Sequence, residues 1–112
     1  MSEFSKIEKD ALSILCWAMI AADGKIDAKE LLLWSEIKKL FEIEESGIPK
    51  ISGESLLKAM LVVRDMSFSD KVLVFKILSD IMKVDGSLDV AELKLINMVA
   101  DACGLKKELN VK

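Results

Sequence analysis

The 112-residue chain is 52% hydrophobic and 31% charged, which is the composition of one ordered globular domain. Its net charge of −3 argues against a nucleic-acid-binding protein, because such proteins need a basic face. The absence of histidine removes the usual general base and the commonest zinc ligand. So high an apolar fraction exceeds what a small monomer is expected to bury, and the surplus favours self-association or a protein partner.

The sequence is expected to lack a signal peptide and a membrane span. Acidic and basic residues are mixed over the first ten positions, unlike those of a signal peptide. The uncharged run over 11–22 is much shorter than the about twenty residues that cross a bilayer. Cys16 and Cys103 lie in apolar helical patterns without metal-site spacing, so both are predicted to be reduced core residues. These features favour a cytoplasmic location and leave open a place in a peripheral membrane complex.

Apolar residues at helical spacing, with no sustained period-two alternation, predict an all-α fold. The first helix, over about 5–22, is apolar on nearly every side, so it is expected to be central. Gly24 suits the left-handed position that ends it. The second helix, over about 28–43, carries Leu32 on its polar side. Its apolar face consists of Leu33, Trp34, Ile37, Leu40 and Phe41.

A linker separates the second helix from the third. It spans 44–51 and contains the only proline, Pro49. Ser52 is predicted to cap a third helix that ends near Asp65.

The fourth helix is predicted over about 70–84, with Ser69 as its N-cap. Its wide apolar arc makes it a second central helix. Phe68 and Leu73 are spaced as a hydrophobic staple around this cap. A fifth helix follows over about 90–103.

A short acidic pattern, D-G-x-[IL]-D-x-x-E-L, occurs twice, over 23–31 and again 62 positions later over 85–93. Aligning the two copies superimposes the first and second helices on the fourth and fifth. The sequence therefore predicts a single-domain bundle of five or more helices built from two similar helical hairpins. The repeated halves are about 5–43 and 69–104.

Helix capping explains most of the repeated pattern. Asp27 is placed as an N-cap and Glu30, three residues on, completes a capping box; the second copy repeats the arrangement. Capping accounts less well for Asp23 and Asp85. Each follows a helix C-terminus, where the macrodipole disfavours a carboxylate, so either an Asx-turn or a bound cation is needed to offset the cost.

A divalent cation is the alternative to capping alone. Carboxylates in a tight turn are the oxygen-only chemistry that Ca²⁺, Mg²⁺ or Mn²⁺ prefers. An EF-hand is excluded, because placing Gly24 at the sixth loop position puts Met19 and Ala21 at the first and third ligand positions. Any cation would then be shared between the turns, completed by water or bound weakly. The candidate metal ligands are Asp23, Asp27, Glu30, Asp85, Asp89 and Glu92.

The paired turns A-A-D-G-K-I-D-A-K-E and K-V-D-G-S-L-D-V-A-E, each between apolar helices, resemble those of the TerB-like superfamily. That superfamily includes the tellurite-resistance protein TerB and the N-terminal region of a membrane-anchored DnaJ-type co-chaperone. The resemblance covers about 11–104. It implies an all-helical domain with two related halves, an acidic metal site at the six carboxylates named above, and a role in stress responses or membrane-linked complexes. Its members are not established enzymes.

These features bear on three functions. The first is a non-enzymatic binding module whose acidic turns hold a divalent cation or a basic partner. The second is a structural or adaptor protein, self-associating or not, that binds through an apolar helical face while the acidic turns serve only as caps. The third, an enzyme, is disfavoured because the sequence offers no histidine, no phosphate-binding glycine loop and no nucleophile motif. No small-molecule substrate is indicated.

Overall fold

The computed structural model describes residues 4–22, 27–43, 51–84, 90–102 and 104. Helices make up 83% of these residues, and no strand occurs among them. The prediction of an all-α fold with five helices is confirmed. In chain order the helices are α1 (Lys6–Ile20), α2 (Ala28–Phe41), α3 (Gly53–Arg64), α4 (Phe68–Lys83) and α5 (Val90–Ala102).

Serine side chains begin three of the helices. At the start of α1, the N–H of Glu8 donates to Ser5 Oγ at 3.2 Å and the N–H of Ser5 donates to Glu8 Oε1 at 3.0 Å. Ser52 caps α3 as predicted, with its Oγ accepting from the N–H of Ser55 at 3.1 Å. Each such cap satisfies backbone donors that the helix itself cannot, and stabilises its helix by about 1 kcal/mol.

The predicted cap of α4 at Ser69 is wrong, because Ser67 occupies the N-cap position. Ser67 Oγ accepts from the N–H of Asp70 at 3.3 Å, so the helix begins at Phe68. The predicted staple is wrong for the same reason, since Phe68 lies inside the helix and is 56% exposed. Met66, which is buried immediately before the cap, draws the chain into the core two residues earlier than the sequence pattern suggested.

Helix ends agree with the predicted bounds to within two residues. Glu42 is the C-cap of α2, with a left-handed φ of 55°, and its N–H donates to the carbonyl of Lys39 at 3.3 Å. Gly24, Cys103 and the linker residues 44–50 lie outside the described residues. Cys16 is fully buried in the core and is not part of a disulfide, as predicted.

The core is organised around α1 and α4, each of which contacts all four other helices. Both were predicted to be central. Their fully buried residues are Leu12, Leu15, Cys16, Met19 and Ile20 in α1 and Val74, Leu78 and Ile81 in α4. Removing each such large aliphatic side chain from water contributes about 1.5–3 kcal/mol, so these two helices supply most of the hydrophobic stabilisation.

The repeat extends well beyond the acidic turns. When 62 is added to the residue numbers of α1 and α2, their first and last residues agree with those of α4 and α5 to within one residue. Burial repeats with the same displacement, as in Leu12 and Val74 or Met19 and Ile81, all fully buried. The N-cap serines of α1 and α4 are also equivalent positions.

α3 has no counterpart in this repeat. It makes its most extensive contacts with α1 and smaller ones with α5 and α4. Ala59, Met60 and Val63 form its buried face. Within the described part of the chain, none of the helices has the length and hydrophobicity that crossing a bilayer requires.

Candidate functional site

The first acidic turn meets α2 through a capping box, as the sequence predicted. Asp27 has extended backbone angles (φ −95°, ψ 140°), and its Oδ1 accepts from the N–H of Lys29 at 2.7 Å. Glu30 reaches back, so that its Oε1 accepts from the N–H of Asp27 at 3.3 Å. Two of the backbone donors at the start of α2 are thereby satisfied without any ligand.

Glu30 and Glu92 are buried, with only 3% and 2% of their surfaces exposed. They occupy equivalent positions in the two halves of the repeat. Carboxylates are rarely buried to this degree unless they are paired, because desolvation costs several kcal/mol per charge. Both lie in the first turn of a helix, where the positive end of the macrodipole offsets part of that cost.

The burial of the two glutamates was not predicted, although the sequence contains the signal for it. Glu30 lies four, seven and eleven residues before Trp34, Ile37 and Phe41, so it continues the buried stripe of α2. Glu92 stands in the same relation to Ile96 and Val99 in α5. A carboxylate on the apolar stripe is directed inwards by the register of its helix.

Three of the six predicted ligands, namely Asp23, Asp85 and Asp89, lie outside the described residues. Of the others, Asp27 and Glu30 are brought together by their hydrogen bond, whereas Glu92 lies on α5. Among the described residues α2 and α5 do not contact each other, although both pack on α1 and α4. The described part of the chain contains no group of three acidic or cysteine side chains arranged to hold a metal.

A second feature is an apolar groove between α2 and α4, with a volume of about 230 Å³. This volume is below the roughly 300–1,000 Å³ of typical small-molecule pockets, so the groove suits a few apolar side chains better than a metabolite. Leu40, predicted on the apolar face of α2, is 55% exposed and lies at the mouth of the groove. The lining residues are Leu33, Glu36, Ile37, Leu40, Phe41, Leu73, Lys76, Ile77 and Asp80.

The edge of the groove carries three charges. Lys76 Nζ lies 3.2 Å from Asp80 Oδ2, one turn away on α4. Glu36 on the opposite edge forms no ion pair with any described residue. The groove therefore combines an apolar floor with one uncompensated negative charge.

Comparison of the chain with protein-family models, with curated proteins and with solved structures finds no match.

Proposed function

We propose that this protein is a non-enzymatic, TerB-like helical binding module that holds a divalent cation at its two acidic turns. The observation that carries the proposal is the burial of Glu30 and Glu92 at equivalent positions of the repeat. A divalent cation beside a buried carboxylate would interact with it strongly, because little water screens the two charges. The TerB-like resemblance adds a stress-related role, and the cysteine content favours a cytoplasmic location.

Capping and ligation are compatible at these turns. A carboxylate has two oxygens with about four lone-pair directions, and the capping box uses Asp27 Oδ1 and Glu30 Oε1. A carboxylate can therefore accept a capping hydrogen bond and bind a hard cation at the same time. With no histidine in the chain and Cys16 buried, oxygen ligands for Ca²⁺, Mg²⁺ or Mn²⁺ suit the turns better than a zinc site does.

We infer further that the fold consists of two related hairpins, α1–α2 and α4–α5, bridged by α3. The matching helix bounds and burial support this arrangement. The contacts support it as well, because α2 packs on both α1 and α4, and α5 does the same. If the two turns share a cation, one cation binds per chain. If each turn binds its own cation, two cations bind per chain.

Calorimetric titration of Ca²⁺, Mg²⁺, Mn²⁺ and Zn²⁺ into metal-free protein tests the cation site. We expect binding of at least one of the first three, and its loss in an Asp23→Asn/Asp85→Asn double variant. An Asp10→Asn/Asp101→Asn variant is the matched control, since it removes the same charge from exposed positions outside the turns. No heat up to about millimolar cation, or equal heats for all three proteins, would contradict the proposal.

A second candidate is an adaptor that binds a partner or a second copy through an apolar helical face, with the acidic turns acting only as caps. Two observations favour it: the capping box at α2 is complete without a ligand, and the α2–α4 groove is open. This candidate predicts intact partner binding in the Asp23→Asn/Asp85→Asn variant.

A further inference from the structure

The groove between α2 and α4 has a counterpart elsewhere in the molecule, and the repeat identifies it. On the α4 side the groove is lined by Leu73, Ile77 and Asp80. The equivalent positions, 62 residues earlier in the chain, are Ala11, Leu15 and Ala18 of α1. All three of the α1 residues are buried, at 3%, 0% and 7% exposure. Of their α4 counterparts, Ile77 is also buried, whereas Leu73 is half-buried and Asp80 is exposed.

On the other wall of the groove, Leu33 and Ile37 of α2 correspond to Leu95 and Val99 of α5. Leu33 is half-buried, whereas Ile37, Leu95 and Val99 are buried. The counterpart of the groove therefore lies between α1 and α5. α3 contacts both of these helices, and its most extensive contacts among the described helices are with α1. α3 thus packs on the two helices that form this counterpart.

We infer that the α2–α4 groove is a docking site for one amphipathic helix of a partner protein, seated as α3 is seated between α1 and α5. Leu73 and Ile77 would contact the apolar stripe of that helix, in the mode by which helices bind hydrophobic grooves. Glu36 has no ionic partner among the described residues, so the bound helix carries a lysine or arginine at the edge of its apolar stripe. The inference rests on the adaptor candidate and is independent of the cation.

A synthetic peptide with the sequence of residues 51–66, which contains α3, is the appropriate probe. Titrated into isotope-labelled protein, it should shift backbone amide resonances of α2 and α4 around the groove and saturate below about 1 mM. Glu36→Lys in the protein should weaken binding of this peptide by about two- to fivefold, because it replaces the negative charge at the edge of the groove by a positive one.

Two exposed leucines of α2 provide matched variants. Leu40→Lys places a charge at the mouth of the groove and should weaken peptide binding at least about tenfold, since a buried leucine contributes roughly 1.5–3 kcal/mol. Leu32→Lys changes a leucine that is 69% exposed and does not line the groove, and should leave binding unchanged. Circular dichroism checks that both variants are folded.

Several results would overturn the inference. One is the absence of resonance shifts up to millimolar peptide. Another is equal binding by the Leu40→Lys and Leu32→Lys variants. A third is a set of shifts confined to α1 and α5, which would mean that the peptide replaces α3 in its own place. Concentration-dependent self-association that Leu40→Lys abolishes would replace the partner helix by a second copy of the chain. The Asp23→Asn/Asp85→Asn variant should bind the peptide normally, so loss of the cation site and loss of the helix site are distinguishable.

Discussion

Substitutions of Asp27 can separate the capping role of the turn from its proposed cation-binding role. Its Oδ1 accepts a hydrogen bond from the N–H of Lys29, which an amide oxygen could accept equally well. A carboxylate binds a divalent cation more strongly than a neutral amide oxygen does, because it supplies a negative charge. The sequence predicted this cap correctly, because an acidic residue followed three positions later by Glu is a local pattern. It did not predict the burial of Glu30, which depends on what packs over the first turn of α2.

Substitution of Asp27 in the metal-free protein should show its capping role as a stability effect. Asp27→Asn keeps an oxygen acceptor at the N-cap, so the free energy of unfolding should change by no more than a few tenths of a kcal/mol. Asp27→Ala removes the acceptor and should cost about 0.5–2 kcal/mol. Urea unfolding in the presence of a chelator measures both. Equal losses for the two variants would mean that the charge of Asp27, rather than its cap, stabilises the metal-free protein.

At the scale of the helices, local patterns determined the number, order and bounds of the elements. The error at α4 has a physical cause: Ser67 and Ser69 are both competent caps, and the burial of Met66 selects the first. Periodicity also identified the apolar face of α2 but could not show that Leu40 stays open to solvent. An apolar stripe indicates which side of a helix avoids water, whereas the helix that covers it is decided by tertiary packing.

The difference between the two halves should appear in the cost of truncating equivalent core residues. Leu15 is fully buried in α1, whereas its counterpart Ile77 lines the open groove on α4. Leu15→Ala should cost about 2–5 kcal/mol because it leaves a closed cavity. Ile77→Ala should fall at or below the lower end of that range, since neighbouring side chains and water can enter the space. Denaturant midpoints at a common m-value compare them, and an equal or larger loss for Ile77→Ala would argue that the groove is closed in solution.

At the scale of the whole molecule, α1 and α2 share their bounds, to within one residue, with α4 and α5 at a displacement of 62 positions, and α3 has no such equivalent among the described helices. α1 and α4 form the centre, α2 and α5 each pack on both, and α3 lies mainly on α1. The internal repeat was visible in the sequence because its turns share a pattern. The unequal covering of the two halves was not visible there, because it depends on which side of the bundle α3 occupies. In the described part of the chain, the α2–α4 groove stays open.

The central claim is that the acidic turns bind a cation in addition to capping their helices. Thermal unfolding of the wild type and of an Asp27→Asn/Asp89→Asn variant, each with and without a divalent cation, tests it most directly. Asn at both positions is expected to preserve the caps, so the two proteins should melt at similar temperatures in chelator.

With Ca²⁺, Mg²⁺ or Mn²⁺ near 100 times its dissociation constant, binding should stabilise the wild type by about 2.7 kcal/mol. For a domain of this size each kcal/mol raises Tm by about 4–8 °C, and the variant should show little or none of this increase. A wild-type Tm that does not respond to any of the three cations, or an equal increase in both proteins, would contradict the account.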